Sequence, residues 1–486
     1  MRLKSTLLAL TAIATSPFQC DLTAAETVQP NIIIILADDM GYGDLGCTGS
    51  TTIKTPHIDS LAAGGMFCSR GYVASSVCSP SRAGLLTGRD PRRFGYEGNL
   101  NGDPKEYPTR PECLGLPTGE HTLADHLKAA GYRTGLVGKW HLGDSAIFHP
   151  NQRGFDDFCG MLDGTHTYFP ADGKNKIERN GQPVTEFSSP YLTDFFTDEA
   201  IRWMGTKDKT AAAKPFFLYL SYNAPHGPME ATEADIKLYS HIEDKTRRTY
   251  AAMMHAMDRG IGRVQNWLKS EGKDSNTLIV FFSDNGGATY NGSWNGSLSG
   301  AKGVLLEGGV RVPMIWSWPG KIPAGKRYNA PVSSLDLLPT FLAAAGAKPL
   351  ALTPPAPHED SENRELATRL YGAYDGMDVL PFFTSGTEQP DRTFFWRLQG
   401  QRAVLHGEDK LISLSHRPPQ LFQPGRDPGE ATDLSTIRAD TMKDLFKRLG
   451  EWESSLETVP LWDSSPRWWA DSARIYDTYA PRPEPR

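Results

Sequence analysis

Apolar residues fall along the chain in two rhythms. Short, largely apolar runs recur at Ile32–Leu36, Thr134–Val137, Phe216–Leu220, Thr277–Phe282 and Val310–Trp316. Their brevity and lack of polar alternation predict strands buried on both faces. Between them the spacing becomes helical. Thr122–Ala130 carries Leu123 and Leu127 on one helical face, with Gly131 as its stop. Met253, Met257, Ile261, Val264 and Leu268 recur at intervals of three or four and predict an amphipathic helix ending before Gly272. Ser334–Ala345 reads as a further helix, and the Gly-, Asp- and Pro-rich stretch 143–190 as long loops. Strand–helix alternation of this kind implies an α/β fold, a large mostly parallel sheet sandwiched by helices.

The pattern changes toward the C-terminus. Pro349, Pro354, Pro355 and Pro357 mark 347–365 as a surface connection. Thr393–Trp396, Gln401–Leu405 and Lys410–Leu414 lie close together, as in an antiparallel meander, and Thr441–Leu449 reads as a closing helix. We therefore expect a main domain over 26–387 and a smaller C-terminal α+β subdomain with an antiparallel sheet over 388–486. At the other end, Arg2 and Lys4 precede the apolar run Leu7–Ala14, and Thr23 and Ala25 supply small residues for cleavage. This predicts a signal peptide over 1–25, too short to span a bilayer. The rival reading, a lipid anchor on Cys20, lacks small residues in Pro17-Phe18-Gln19. The expected product is exported, periplasmic or secreted, with no membrane span.

Composition narrows the function classes. Hydrophobic residues make up 39% of 486, enough for a sizeable core. The formal charge of -6 argues against a nucleic-acid partner. Beyond the leader stand Cys47, Cys68, Cys78, Cys113 and Cys159, without CxxC spacing, so disulfides of an oxidising compartment are the plain expectation. The odd count leaves one thiol needing another explanation.

Ligands in open α/β sheets gather at the carboxyl ends of the parallel strands. Asp38 and Asp39 follow the first strand; Asp284 and Asn285 follow the 277–282 strand. Either pair alone would pass for a solvated turn. Together they form an all-oxygen set suited to Ca²⁺ or Mg²⁺ rather than zinc. Lys139 and His141 follow the 134–137 strand, His226 follows the 216–220 strand, and Lys302 lies in Gly300-Ala301-Lys302-Gly303. Cations and histidines beside a divalent ion make a pocket for a multiply charged oxyanion, with histidine able to move protons. His57, His121, His126 and His149 read as structural.

The decisive segment is Val77-Cys78-Ser79-Pro80-Ser81-Arg82-Ala83-Gly84-Leu85-Leu86-Thr87-Gly88-Arg89. Here the sequence resembles the type I sulfatases, the formylglycine-dependent enzymes of the alkaline-phosphatase superfamily. The likeness continues through Ala37–Asp44, Gly138–Gly143, Asn223–Pro228, Ser283–Gly287 and Gly300–Pro313, with a further match over Leu421–Leu434. The resemblance implies that a separate maturation enzyme oxidises Cys78 to formylglycine, whose hydrate attacks sulfur and then collapses to expel sulfate. It implies one Ca²⁺ held by Asp38, Asp39, Asp284 and Asn285 against an oxygen on residue 78. Arg82 would steady the diol and the metal ligands, and Lys139 and Lys302 would neutralise sulfate oxygens. His141 would be the base of sulfate release, and His226 the acid for the leaving alcohol. The implied substrate is an extracellular sulfated carbohydrate, with Asp163, His166, Tyr168 and Trp294 as possible sugar contacts. Two rivals remain open to test: a two-zinc phosphoryl-transfer enzyme, which would want Ser or Thr at position 78, and an inactive glycan-binding relative, which would be expected to lack Cys78, Lys302 or a histidine.

Overall fold

The computed structural model describes residues 29–100, 114–170, 175–351, 374–456, 466–481 and 483–485. The main sheet has eleven strands. In chain order they are β1 (Asn31–Ala37), β2 (Met66–Tyr72), β3 (Arg133–Lys139), β4 (Asp157–Met161), β5 (Glu178–Arg179), β6 (Gln182–Pro183), β7 (Phe216–Ser221), β8 (Thr277–Ser283), β9 (Arg311–Ser317), β10 (Lys326–Tyr328) and β11 (Val332–Ser333). Their spatial order is β10-β2-β9-β8-β1-β7-β3-β4-β5-β6, with β11 also on β2. The run β8-β1-β7-β3-β4 is parallel throughout.

The central strand shows why these runs carry no polar alternation. Ile33, Ile35 and Ala37 enter the core on one face of the sheet, and Ile32, Ile34 and Leu36 enter the core on the other. Helices cover both faces. On the first lies Lys245–Ser270, where Met253, Met257, Ile261, Val264 and Leu268 are all fully buried and the Asp244 carboxylate accepts from Arg247 N. On the second lie Leu123–Ala129, opened by a reciprocal Thr122–Asp125 capping box, and Leu337–Ala345.

Three expectations need correction. The strand expected over Val310–Trp316 is present as β9, but it runs antiparallel to both β8 and β2. The whole connection 284–310 stays at the carboxyl end of β8, with only the short helix Glu307–Val310 before β9, so the chain re-enters the sheet from the top. The stretch 143–190 is not all loop, since β4, β5 and β6 extend the sheet there. The disulfide reading also fails. Cys47, Cys68 and Cys159 are free, and every full pairing of the four candidates needs a bond among these three. Cys68 on β2 and Cys159 on β4 stand six strands apart, about 29 Å at the usual strand spacing, and pack into opposite faces of the sheet. Cys113, the leader with Cys20, and most of 347–365 lie outside the described residues. Among the described residues no helix is long and apolar enough to cross a membrane.

A second, four-stranded antiparallel sheet comprises β12 (Thr393–Leu398), β13 (Gln401–His406), β14 (Asp409–Leu414) and β15 (Gln420–Phe422). The helix Ala439–Glu453 covers one face through Leu445, Leu449 and Trp452. The other face packs on Tyr72, Val77, Ala301, Val304 and Leu306, the surroundings of Lys302. At this junction Lys410 lies fully buried between Glu307 (2.8 Å) and Glu430 (2.9 Å). Burial and the neighbouring Glu307 push the Glu430 carboxyl up to about 7, against the pull of Lys410. Lys410→Met should therefore cost about 3–5 kcal/mol in urea unfolding, because it leaves Glu307 and Glu430 facing each other without their shared cation. Glu430→Gln, which leaves Glu307 paired to Lys410, should cost clearly less; equal losses would contradict this reading of the junction.

Candidate active site

Four neighbouring parallel strands, β8, β1, β7 and β3, end side by side, and each delivers functional groups to the same rim. Asp38 and Asp39 leave β1, Asp284 and Asn285 leave β8, Lys139 ends β3 with His141 two residues on, and His226 sits in the turn after β7. Cys78 begins the helix Cys78–Thr87, whose positive end thus faces the rim. Asp39 and His141 both adopt left-handed backbone conformations (φ 64° and 59°), unfavourable for residues other than glycine and sustained here by the surrounding structure. Two glycines permit the close approach. A Cβ on Gly286, beside Asn285, would meet Gly308 O at 1.8 Å, and one on Gly164 would meet the His141 ring at 2.6 Å.

The buried charges are interlocked. Lys139 Nζ lies 2.6 Å from Asp38 Oδ2, and Lys302 Nζ lies 2.8 Å from Asp39 Oδ2. Arg82 donates through Nε and Nη2 to Asp284 Oδ2 (2.9 and 2.8 Å) and through Nη1 to Ser221 Oγ (2.6 Å). Burial works against the Asp38 charge, yet Lys139, His226 and Arg82 together hold its carboxyl well below the usual range. Burial and repulsion from Asp38 leave Asp284 pushed up to about 6 despite Arg82. The Cys78 thiol lies 3.5 Å from Asp38 Oδ1 and 3.8 Å from Asp39 Oδ1, and burial raises its pKa, so it stands as a protonated thiol.

The histidines differ. His226 bonds Gly227 O through Nδ1 (2.7 Å), while its Nε2 lies 3.2 Å from Tyr290 Oη and 3.5 Å from Asp39 Oδ2. Burial lowers its pKa, opposed by Asp38 and Asp39. His141 bonds Leu100 O through Nε2 (3.0 Å), and its buried Nδ1 has no partner among the described residues. Burial and then Lys139 hold it well below its ordinary value, so Nδ1 carries a free lone pair.

These groups surround a cavity of about 830 Å³. Cys78, His141, His226 and Lys302 line it, whereas Arg82 and Lys139 lie behind the carboxylates they pair with. Of the possible sugar contacts, Asp163 and His166 line the cavity. Tyr168 is buried instead, its hydroxyl donating to Asn223 O and His226 O, and Trp294 is not among the lining residues. Sequence reasoning missed Tyr290, which links Asp39 to His226, and the lining residues Asp471, Arg474 and Ile475 of the helix Pro466–Thr478. Tyr290 sits in a Gly-, Asn- and Ser-rich loop whose pattern carries no signal.

The donors fit a hard divalent cation. Asp38, Asp39 and Asp284 crowd three carboxylates together, and the buried Asn285 Oδ1 has no partner among the described residues. Atoms of Asp38, Asp39, Cys78 and His226 lie within 4.8 Å of one another.

Comparison with known proteins places these features in context. The family model described as Sulfatase matches residues 30–347. N-acetylgalactosamine-6-sulfatase of Mus musculus is 32% identical over 478 residues, covering 88% of this chain and 86% of that protein. Arylsulfatase A of Homo sapiens is 34% identical over 449 residues, covering 83% of each. The crystal structure of Ps i-CgsB in complex with k-i-k-neocarrahexaose superposes with a TM-score of 0.78 at 35% identity, covering 93% of this chain and 98% of that one.

Proposed function

The chain belongs to the sulfatase family and is a sulfuric ester hydrolase of alkaline-phosphatase-like fold, and we propose that it removes sulfate from carbohydrates using formylglycine made from Cys78 and one calcium ion. The observation that carries this reading is the buried thiol of Cys78, within 4 Å of Asp38 and Asp39, on the floor of a cavity that Lys302, His141 and His226 also line. A protonated thiol in that position is a poor nucleophile. The hydrate of an aldehyde at residue 78 would supply an oxygen nucleophile instead. Asp38, Asp39, Asp284 and Asn285 are the residues to hold calcium, which when bound would polarise sulfate oxygens as a Lewis acid.

The remaining work falls to this chain's own side chains. Lys302, whose charge Asp39 sustains against burial, offsets the negative charge of the bound sulfate from the cavity floor. Lys139 acts from behind, holding Asp38 ionised, and Arg82 fixes Asp284 through two hydrogen bonds. With Nδ1–H held by Gly227 O, it is the imidazolium form of His226, favoured by Asp38 and Asp39, whose Nε2–H donates a proton to the departing alcohol oxygen, with Tyr290 setting the ring's position. His141 Nδ1, without a partner among the described residues, takes the proton that accompanies sulfate release.

The carbohydrate assignment draws support from relatives named for an amino-sugar sulfate and from a similar structure holding a neocarrahexaose. Export through a leader over 1–25 to the periplasm or outside the cell, where a polymeric substrate is met, and maturation by a formylglycine-generating enzyme complete the proposal. The rival two-zinc phosphoryl-transfer reading is disfavoured by cysteine at position 78, and the inactive-relative reading by the intact set of Cys78, Lys302, His141 and His226.

Removing the metal tests this account. Exhaustive EGTA treatment should lower 4-nitrophenyl sulfate turnover by at least about 100-fold while circular dichroism is unchanged. Added Ca²⁺ should restore it better than Zn²⁺. The compact Asp38, Asp39, Cys78 and His226 cluster would itself suit zinc, so preferential restoration by Zn²⁺, or no loss on chelation, would contradict the calcium assignment.

A further inference from the structure

The helix Pro466–Thr478 forms one wall of the cavity. It packs against the loop that carries Lys302: Ile475 is buried with Ala301, Val304 and Leu305, Leu305 N donates to Tyr476 Oη (2.9 Å), and Tyr476 Oη donates to Gln401 Oε1 (2.7 Å). Gly300 N bonds Tyr479 O at 3.0 Å just beyond the helix. Asp471 and Arg474, three residues apart and so on one helix face, both line the cavity and both are exposed. Their spacing would allow them to pair with each other.

Exposure divides the lining into two electrostatic zones. The floor holds the sulfate-directed groups, with Cys78, His141 and Lys302 all buried. Among the described residues, the solvent-facing mouth carries Asp144, Asp163 and Asp471 with Lys176 and Arg474. Lys176 is already committed to Asp163 at 2.6 Å. Among the described residues the mouth therefore offers one carboxylate more than it has cations, directly outside the floor where Lys302 pairs with Asp39.

Resting on the carbohydrate-sulfatase reading above, we infer that the mouth selects a sugar ring whose only anionic group is the sulfate to be removed. Asp144, Asp163 and Asp471 accept hydrogen bonds from the ring's free hydroxyls, and Arg474 donates to a hydroxyl or ring oxygen. A second sulfate or a carboxylate on the same ring would meet this excess of negative charge and be rejected.

The test uses two defined disaccharides of one backbone, with one or two sulfates on the terminal ring. Each competes against 4-nitrophenyl sulfate, and the inhibition constants are compared on the same enzyme preparation, so that partial unfolding cancels. The monosulfated sugar should bind on the order of tenfold more tightly at low salt, with the gap narrowing as ionic strength rises. The double variant Asp144→Asn, Asp471→Asn should close most of the gap, and Arg474→Gln should widen it. A wild-type preference for the disulfated sugar, a gap that none of these variants moves, or failure of both sugars to compete would each overturn the inference. Failure of the sulfatase reading is separate: it would appear as no hydrolysis of 4-nitrophenyl sulfate by the matured wild-type enzyme.

Discussion

Cys78→Ser, produced in a host whose maturation enzyme accepts only cysteine, is expected to lose turnover by roughly 10⁴–10⁶-fold, the scale seen when a nucleophile is removed. Serine is close to cysteine in size, and the buried site that Asp38, Asp39, Arg82 and Lys302 form around position 78 should survive the change. The variant should therefore melt like the wild type and still bind inorganic sulfate. What it lacks is the second oxygen on one carbon. A sulfated serine has no neighbouring hydroxyl from which to collapse, so at best one equivalent of alcohol would be released. Full turnover by Cys78→Ser would remove the formylglycine reading and favour an alkoxide mechanism of the phosphoryl-transfer kind.

Loss of His226 should separate leaving-group chemistry from sulfate binding. A sugar hydroxyl leaves poorly without a proton, whereas 4-nitrophenolate leaves with little help. His226→Ala should accordingly slow a sugar sulfate by about 10²–10⁴-fold, the usual worth of general-acid catalysis, and 4-nitrophenyl sulfate far less. Lys302→Ala removes a cation from the sulfate itself and should slow both substrates alike. The geometry allows the contrast, because His226 Nε2 contacts Tyr290 and Asp39 at the cavity edge while Lys302 lies on the floor beside Asp39. Equal losses on the two substrates for His226→Ala would reduce it to a sulfate ligand.

The strands that build the site were legible because burial on both faces leaves a plain mark. Asn31–Ala37 is apolar after its first residue, and the polar residues just beyond it stand out for that reason. The same contrast exposes Asp284 and Asn285 after β8 and Lys139 and His141 at the end of β3. Strand β2 left no such mark. Ser69, Arg70 and Gly71 break its apolar run, and Arg70 finds partners in Glu408 and Gly407 O, far along the chain. The reversed direction of β9 depends on the path of a whole connection, not on the composition of Arg311–Ser317. The cysteines misled because their number says nothing of distance, and Cys68 and Cys159 occupy strands far apart in one sheet. Tyr290, Asp471 and Arg474 reach the cavity solely through tertiary folding, so no local spacing could have singled them out.

The central claim rests on the chemical state of residue 78. Tryptic cleavage after Arg70 and Arg82 releases a peptide, Gly71–Arg82, that contains Cys78 as its sole cysteine. The mass of this peptide, taken from enzyme purified alongside a formylglycine-generating partner and again from enzyme made without one, reads that state directly. The account predicts the mass expected when CH₂SH becomes CHO in the first preparation, with specific activity rising in proportion to the converted fraction. Full activity from protein whose peptide carries only unmodified cysteine would contradict it.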